Sequence, residues 1–259
     1  MTTLVLAAGD EFVAPGVKDF FPPPIFGEVT KPMVLAVFSI VIIGAFFLLG
    51  SRNLKLVPGK FQFVAESVYD VGRNSIAREQ IGAKDFKPFV PLLLTVFMFV
   101  LVNNLFGIVP FIQFPTMSHI GFPLAVSVLV IYPVYHFVGI KRHGFLRYLK
   151  HQTVPAGAPW FVLILLTPIE FFQKFFLNPL TLAIRVFAAM FAGHLLLMVF
   201  TIAGEFLLLN GGITVVVAPV AFAFAIALTF LEALIMVLQA YIFALLSANY
   251  IGAALAEDH

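Results

Sequence analysis

The 259-residue chain has no cysteine, which excludes disulfides and thiolate metal sites and leaves the redox compartment unmarked. Charge is also scarce. Only 11% of residues are Asp, Glu, Lys or Arg, against about 25% in an ordinary soluble domain. The net charge is +2, and no cluster of arginines and aromatics marks a nucleic-acid surface. The patterns His-Glu-x-x-His, Gly-x-Ser-x-Gly and Gly-x-x-x-x-Gly-Lys are missing, so no metalloprotease, serine hydrolase or phosphate-loop chemistry is expected, and no metal or cofactor. No internal repeat is visible, which counts against the main alternative class, a proton-coupled secondary transporter. The start of the chain carries Asp10, Glu11, Asp19 and Glu28 and lacks the basic opening and short apolar core of a signal peptide.

What the chain has instead is apolar length. Hydrophobic residues make up 61%, with a mean hydropathy of +1.06. Runs of about twenty apolar residues recur, the signature of membrane-spanning helices. Their length and lack of strict alternation exclude a membrane β-barrel. The sequence therefore predicts an all-α membrane protein with about five crossings, near 33–50, 89–112, 120–138, 160–208 and 213–255. A Pro-rich leader, 1–32, precedes them, and the channel-forming domain is expected over 33–255. Residues 51–88 hold seven basic side chains. There Phe61, Val64, Val68, Val71 and Ile76 recur at helical spacing, the pattern of an amphipathic interfacial helix. A second basic loop carries Lys141, Arg142, Arg147 and Lys150.

Positive charge sets the expected orientation. The two basic segments hold eleven of the fifteen lysines and arginines, so both are placed in the cytoplasm. The leader and the loops at 113–119 and 209–212 then lie outside, and five crossings leave the C-terminus inside. A bacterial plasma membrane is expected, because nothing resembles a transit peptide.

The last two tracts are too long for ordinary spans. A helix of about 49 residues is roughly 73 Å long, while the hydrocarbon core is about 30 Å thick. One reading breaks the first tract into two short spans at Asn178-Pro179. The other keeps one crossing tilted by about 65°, far beyond the usual 20° or so. A break adds a crossing and leaves its extra turn without basic residues, so steep tilt is preferred.

Isolated polar residues lie inside these tracts. Arg185 has no acid within four residues, and an intramembrane charge usually marks an ion path. Glu232 and Gln239 are seven apart, nearly on one helix face. His194 follows Arg185 by nine residues. Folding the chain antiparallel at Asn210-Gly211-Gly212 brings positions level when their numbers total about 424. That register pairs Arg185 with Gln239 and His194 with Glu232. A buried His/Glu pair can pass a proton. Glu170 and Lys174, four apart, read equally as a structural ion pair or a channel carboxylate with its partner. Asn103 and Asn104 read as helix–helix hydrogen-bonding groups.

The run Leu182-Ala-Ile-Arg185-Val-Phe-Ala-Ala-Met-Phe-Ala-Gly-His194, followed by Leu238-Gln239-Ala-Tyr241-Ile-Phe243, resembles the a subunits of F-type ATP synthases. Asn104-Leu-Phe-Gly-Ile-Val-Pro110 extends the likeness to about 34–255. The resemblance implies a non-catalytic, proton-translocating stator with two offset half-channels against a rotating ring of c subunits. Its further implied partners are a b-subunit stalk, the other F1F0 subunits and the lipid membrane. Arg185 is implied to face the ring carboxylate, with Gln239 beside it. His194 and Glu232 would serve the outer half-channel and Glu170 the cytoplasmic one. Two positions depart from the family pattern. Ala189 replaces a common asparagine, and Gly107 stands where an acid is often found.

Overall fold

In a computed structural model, the structure describes residues 14–52, 54–154, 160–209 and 214–256. The regular elements among them are helices, with no strand. We number these α1 (Lys31–Ser51), α2 (residues 60–81), α3 (Lys87–Leu105), α4 (Gly121–His143), α5 (Phe145–Thr153), α6 (Phe161–Leu209) and α7 (Val215–Leu255). Five of them, α1, α3, α4, α6 and α7, are long and apolar enough to cross a membrane. α1 begins where extended Thr30 precedes Pro32, a residue preorganised for the first helical turn.

α3 is the central post. Half of its apolar stretch is buried in the bundle, against 17% for α6 and α7. The long helices therefore spend one narrow face on the protein and leave most of their apolar surface outward. On α7 the inward face is Glu232, Met236, Ala240, Ala244 and Ala248, every fourth residue and all buried. Small residues at this spacing let the α7 and α3 backbones approach closely. On α6 the inward face is Leu182, Val186, Met190 and His194, again every fourth residue and buried.

The two long helices pack antiparallel. The Phe200 and Phe224 rings stack at 5.7 Å, Gly204 lies against the Phe222 ring, and His194 faces Glu232. These pairs total 424, 426 and 426, the register expected from sequence. The Asn210-Gly211-Gly212 turn lies outside the described residues.

α6 does not break at Asn178-Pro179, so the two-span alternative is excluded. Proline has no N–H and its ring collides with the carbonyl four residues back, here Phe175. The helix absorbs this by widening to π-type hydrogen bonding over Gln173–Leu177, just before the proline. α4 does the same over Val126–Ile131, ahead of Pro133. The two adjustments touch: buried Ser127 Oγ donates to the Pro179 carbonyl at 2.9 Å.

α3 closes at Leu105, earlier than the 112 expected from hydropathy. The following residues stay apolar, but the chain turns, with positive φ at Phe111 (71°) and Gln113 (40°). Gly107 sits in this turn. A Cβ there would lie 2.8 Å from the Met236 methyl, 3.1 Å from Pro115 and 3.2 Å from the Asn104 carbonyl, so a larger residue requires these neighbours to shift.

The basic segments share one end of the bundle, where Arg142 lies 4.0 Å from Asp85. α2 packs there through Ile76 and Ala77, both fully buried. Val68 and Val71 are half-buried, while Phe61, Phe63 and Val64 remain exposed, as an interfacial helix requires. Residues 14–30 and 106–119 occupy the opposite end.

Candidate functional site in the long hairpin

Helical geometry puts the polar residues of α6 and α7 at the edge or end of an inward stripe. Arg185 is three residues after Leu182 and Gln239 three after Met236. Both are half-buried, between the packed face and the outward apolar face of Leu180, Ile184, Leu234, Val237 and Leu238. His194 ends the α6 stripe and Glu232 begins the α7 stripe, and they are 4% and 3% exposed.

His194 Nδ1 lies 3.8 Å from Glu232 Oε1. That is longer than a direct hydrogen bond, and neither atom has another partner. Glu232 Oε2 is likewise unpaired, as are Arg185 Nε and Nη2 and Gln239 Oε1. Leaving such a group buried and unpaired costs about 1–3 kcal/mol, more when it is charged. Along the hairpin Arg185 lies about 13 Å from the level of His194, and the observed register sets it opposite Gln239. A cation, an amide, an imidazole and a carboxylate thus line one hairpin, each with at least one unpaired polar atom.

Other expected residues behave differently. Asn103 Nδ2 donates to Ser39 Oγ and to the Phe99 carbonyl, both at 2.8 Å, tying α3 to α1. Asn104 Nδ2 donates to the Met236 carbonyl at 3.3 Å, tying α3 to α7. Each keeps an unpaired side-chain oxygen. Glu170 and Lys174 form a 3.4 Å ion pair within α6, about 22 Å along the helix from Arg185. They are not gathered with the hairpin residues. Tyr241 is half-buried at the margin of the core.

The contact made by Phe20 has no counterpart among the expectations from sequence. Its ring lies edge-on to the His194 imidazole at 5.9 Å and against Phe191 at 4.4 Å. A second unforeseen feature is a cluster at the basic end, formed by Tyr132, Tyr135, His136, Tyr148 and Gln152. Its signal was available in the helical spacing of Tyr132, Tyr135 and His136.

Fold and site together define a polytopic, all-helical membrane protein with a built polar site between its two longest helices. Comparison with known proteins narrows the class. The sequence profile described as ATP synthase A chain matches residues 33–252. The chain is 45% identical over 270 residues to the ATP synthase subunit a of a Nocardioides species, covering 98% of this chain and 96% of that protein. It is 45% identical over 271 residues to the subunit a of Pseudarthrobacter chlorophenolicus, covering 100% and 99%. It is 40% identical over 257 residues to that of Streptomyces lividans, covering 97% and 90%. The chain belongs to the ATP synthase A chain family.

Proposed function

We propose that this protein is the stator subunit a of a rotary F-type ATP synthase in a bacterial plasma membrane. In this reading residues 33–255 form the proton channel, the leader 1–32 and the N-terminus lie outside, and the C-terminus lies in the cytoplasm. The chain itself carries out no ATP chemistry. The observation that carries the reading is the set of unpaired polar atoms on Arg185, His194, Glu232 and Gln239 in one hairpin. A fold tolerates that cost where the groups must stay available to a moving partner or a proton.

α6 and α7 are far longer than the bilayer is thick, so a single crossing by each is steeply inclined. Their outward apolar face then runs obliquely through the membrane, where a ring of c subunits passes. His194 and Glu232 serve the outer half-channel, passing a proton after a small approach of the two side chains or across one bridging water. Glu170, paired with Lys174, offers a carboxylate on the cytoplasmic side. Arg185 stands between the two routes. Its guanidinium keeps its charge, so the proton must leave on the ring and return after a rotation. One charge crossing about 100 mV releases about 2.3 kcal/mol, and that energy becomes torque only when the direct route is closed. The b-subunit stalk holds this stator against the rest of the F1F0 complex.

The test is isolation of the intact complex from its membrane through a tag on this chain, followed by reconstitution into liposomes. The expected result is a co-purifying ring of small hairpin subunits and ATP-driven acidification. A complex without such a ring, or one that hydrolyses ATP with no proton movement, would overturn the proposal.

A further inference from the structure

The Pro-rich leader has no helical or strand periodicity, yet its described part, residues 14–30, packs on the bundle. Val17–Phe20 form a single 3-10 turn, closed by the Gly16 N–H donating to the Asp19 carboxylate at 2.7 Å. Everything about this turn faces outward except Phe20. Val17 and Phe21 are 59% and 68% exposed, whereas Phe20 is 2% exposed. Its ring lies edge-on to the His194 imidazole and against Phe191.

The segment after that ring is fastened at two points. Phe21 meets His119 edge-on at 5.2 Å, and His119 in turn lies against Phe114 at 5.4 Å. At the other end of the leader, Lys31 Nζ donates to the Ile112 carbonyl at 2.7 Å and lies over the Phe114 ring. The loop that receives these contacts holds two side-chain-bearing residues, Phe111 and Gln113, at positive φ. Such backbone persists only where the surroundings hold it, and it recurs at working sites. The structure thus sets this segment over α6, with a buried aromatic ring against His194 and a strained loop beside it.

A pair of groups that exchanges protons with the outside needs an opening, yet His194 and Glu232 are almost wholly enclosed. We propose that residues 14–30 form a lid on the outer proton entrance and that the Phe20 ring must lift from His194 for a proton to pass. The inference rests on the function proposed above and adds to it a moving part outside the hairpin. Phe20 touches the imidazole and carries no proton. It is a gate, distinct from the groups that conduct.

The absence of cysteine makes the chain suited to a direct test. Phe21→Cys and His119→Cys fasten the lid beside the Phe20 plug and leave Phe20, His194 and Glu232 intact. The whole complex is bridged in detergent with a short, cleavable bis-thiol reagent and reconstituted, and ATP-driven proton flux is read with a pH dye. The expected result is a flux loss of at least roughly tenfold in the bridged complex, the scale of a blocked proton-transfer step, with recovery on cleavage. Adding Phe20→Ala to the bridged complex restores flux, because the fastened lid then carries no plug. Equal flux in bridged and cleaved complexes overturns the lid. Bridged complex that stays blocked with Phe20→Ala overturns the plug. Glu232→Gln, measured alongside, separates the two levels. If it pumps normally, the outer-channel reading itself fails. If it is blocked while bridging has no effect, only the lid fails.

Discussion

Two regions of this molecule place polar side chains among apolar helices, and they treat them in opposite ways. At the basic end, Tyr135 Oη donates to Gln152 Oε1 at 2.8 Å, and the Tyr148 hydroxyl lies 2.9 Å from His136 Nδ1. Phe175 stacks on His136 at 4.8 Å, and Gly139 leaves the space that the Tyr148 ring fills. Burial pushes the Tyr148 phenol up, so it stays neutral and acts as a hydrogen-bonding group. In the long hairpin, Arg185 Nε and Nη2, His194 Nδ1, both Glu232 carboxylate oxygens and Gln239 Oε1 have no hydrogen-bond partner. A satisfied cluster fixes α4, α5 and the start of α6 to one another. An unsatisfied one leaves buried polar atoms without a hydrogen bond, at a cost in stability. Burial of a polar residue in a membrane helix is by itself a weak sign of function, since Asn103 and Asn104 also keep an unpaired oxygen while tying helices together.

The comparison can be broken from either side. The largest effect is expected at Arg185. Arg185→Ala should reduce proton-driven ATP synthesis and ATP-driven pumping to background, while the amount of assembled complex stays constant on native gels. Arg185→Lys should recover little of either, because the ammonium is a more strongly hydrated point charge. Next in size is Glu232→Gln, which keeps the shape and removes the proton carrier. Synthesis should fall on the order of tenfold to a hundredfold, the usual scale for a lost proton-transfer group, with assembly unchanged. Gln239→Leu should be milder, a few-fold loss of pumping rate, since an amide beside Arg185 positions the charge without carrying a proton. The smallest effect on transport is expected in the satisfied cluster. Tyr135→Phe should leave pumping unchanged and cost about 1 kcal/mol of stability, one buried hydrogen bond, read as earlier thermal unfolding of the solubilised chain. A large transport loss in Tyr135→Phe would erase the distinction between the two regions.

Much of the hairpin was legible in the sequence. Polar residues at isolated positions and one breaker turn were enough to set the register, because an antiparallel pair has a single free offset. Phe200 with Phe224 and His194 with Glu232 fall on it. The end of α3 was less legible. Ile108, Val109, Phe111 and Ile112 continue the apolar run, and hydropathy reports where a segment is soluble, not where its backbone turns. Gly107 and Pro110 were the local signals, and the positive φ values at Phe111 and Gln113 are their outcome. Asn178-Pro179 looked like a possible break because a proline removes a hydrogen bond, and only the backbone reveals the π-type turn that carries α6 through it. The place of Phe20 was not legible at all. A leader without periodicity is located by the surface it packs on, here Phe191 and His194, and that surface exists only after the hairpin has formed.

The central claim is that Arg185 closes the direct route between two half-channels, and passive proton conductance tests it most directly. Membrane vesicles carrying Arg185→Ala are stripped of their catalytic sector, and proton flux under an imposed potential is measured beside complex content. With the fixed charge gone, a protonated ring carboxylate can pass between the half-channels without a full rotation. The expected result is a leak equal to or above that of the unmodified complex, with coupled synthesis absent and complex content unchanged. Assembled Arg185→Ala complex that still couples proton flow to ATP synthesis would contradict the claim.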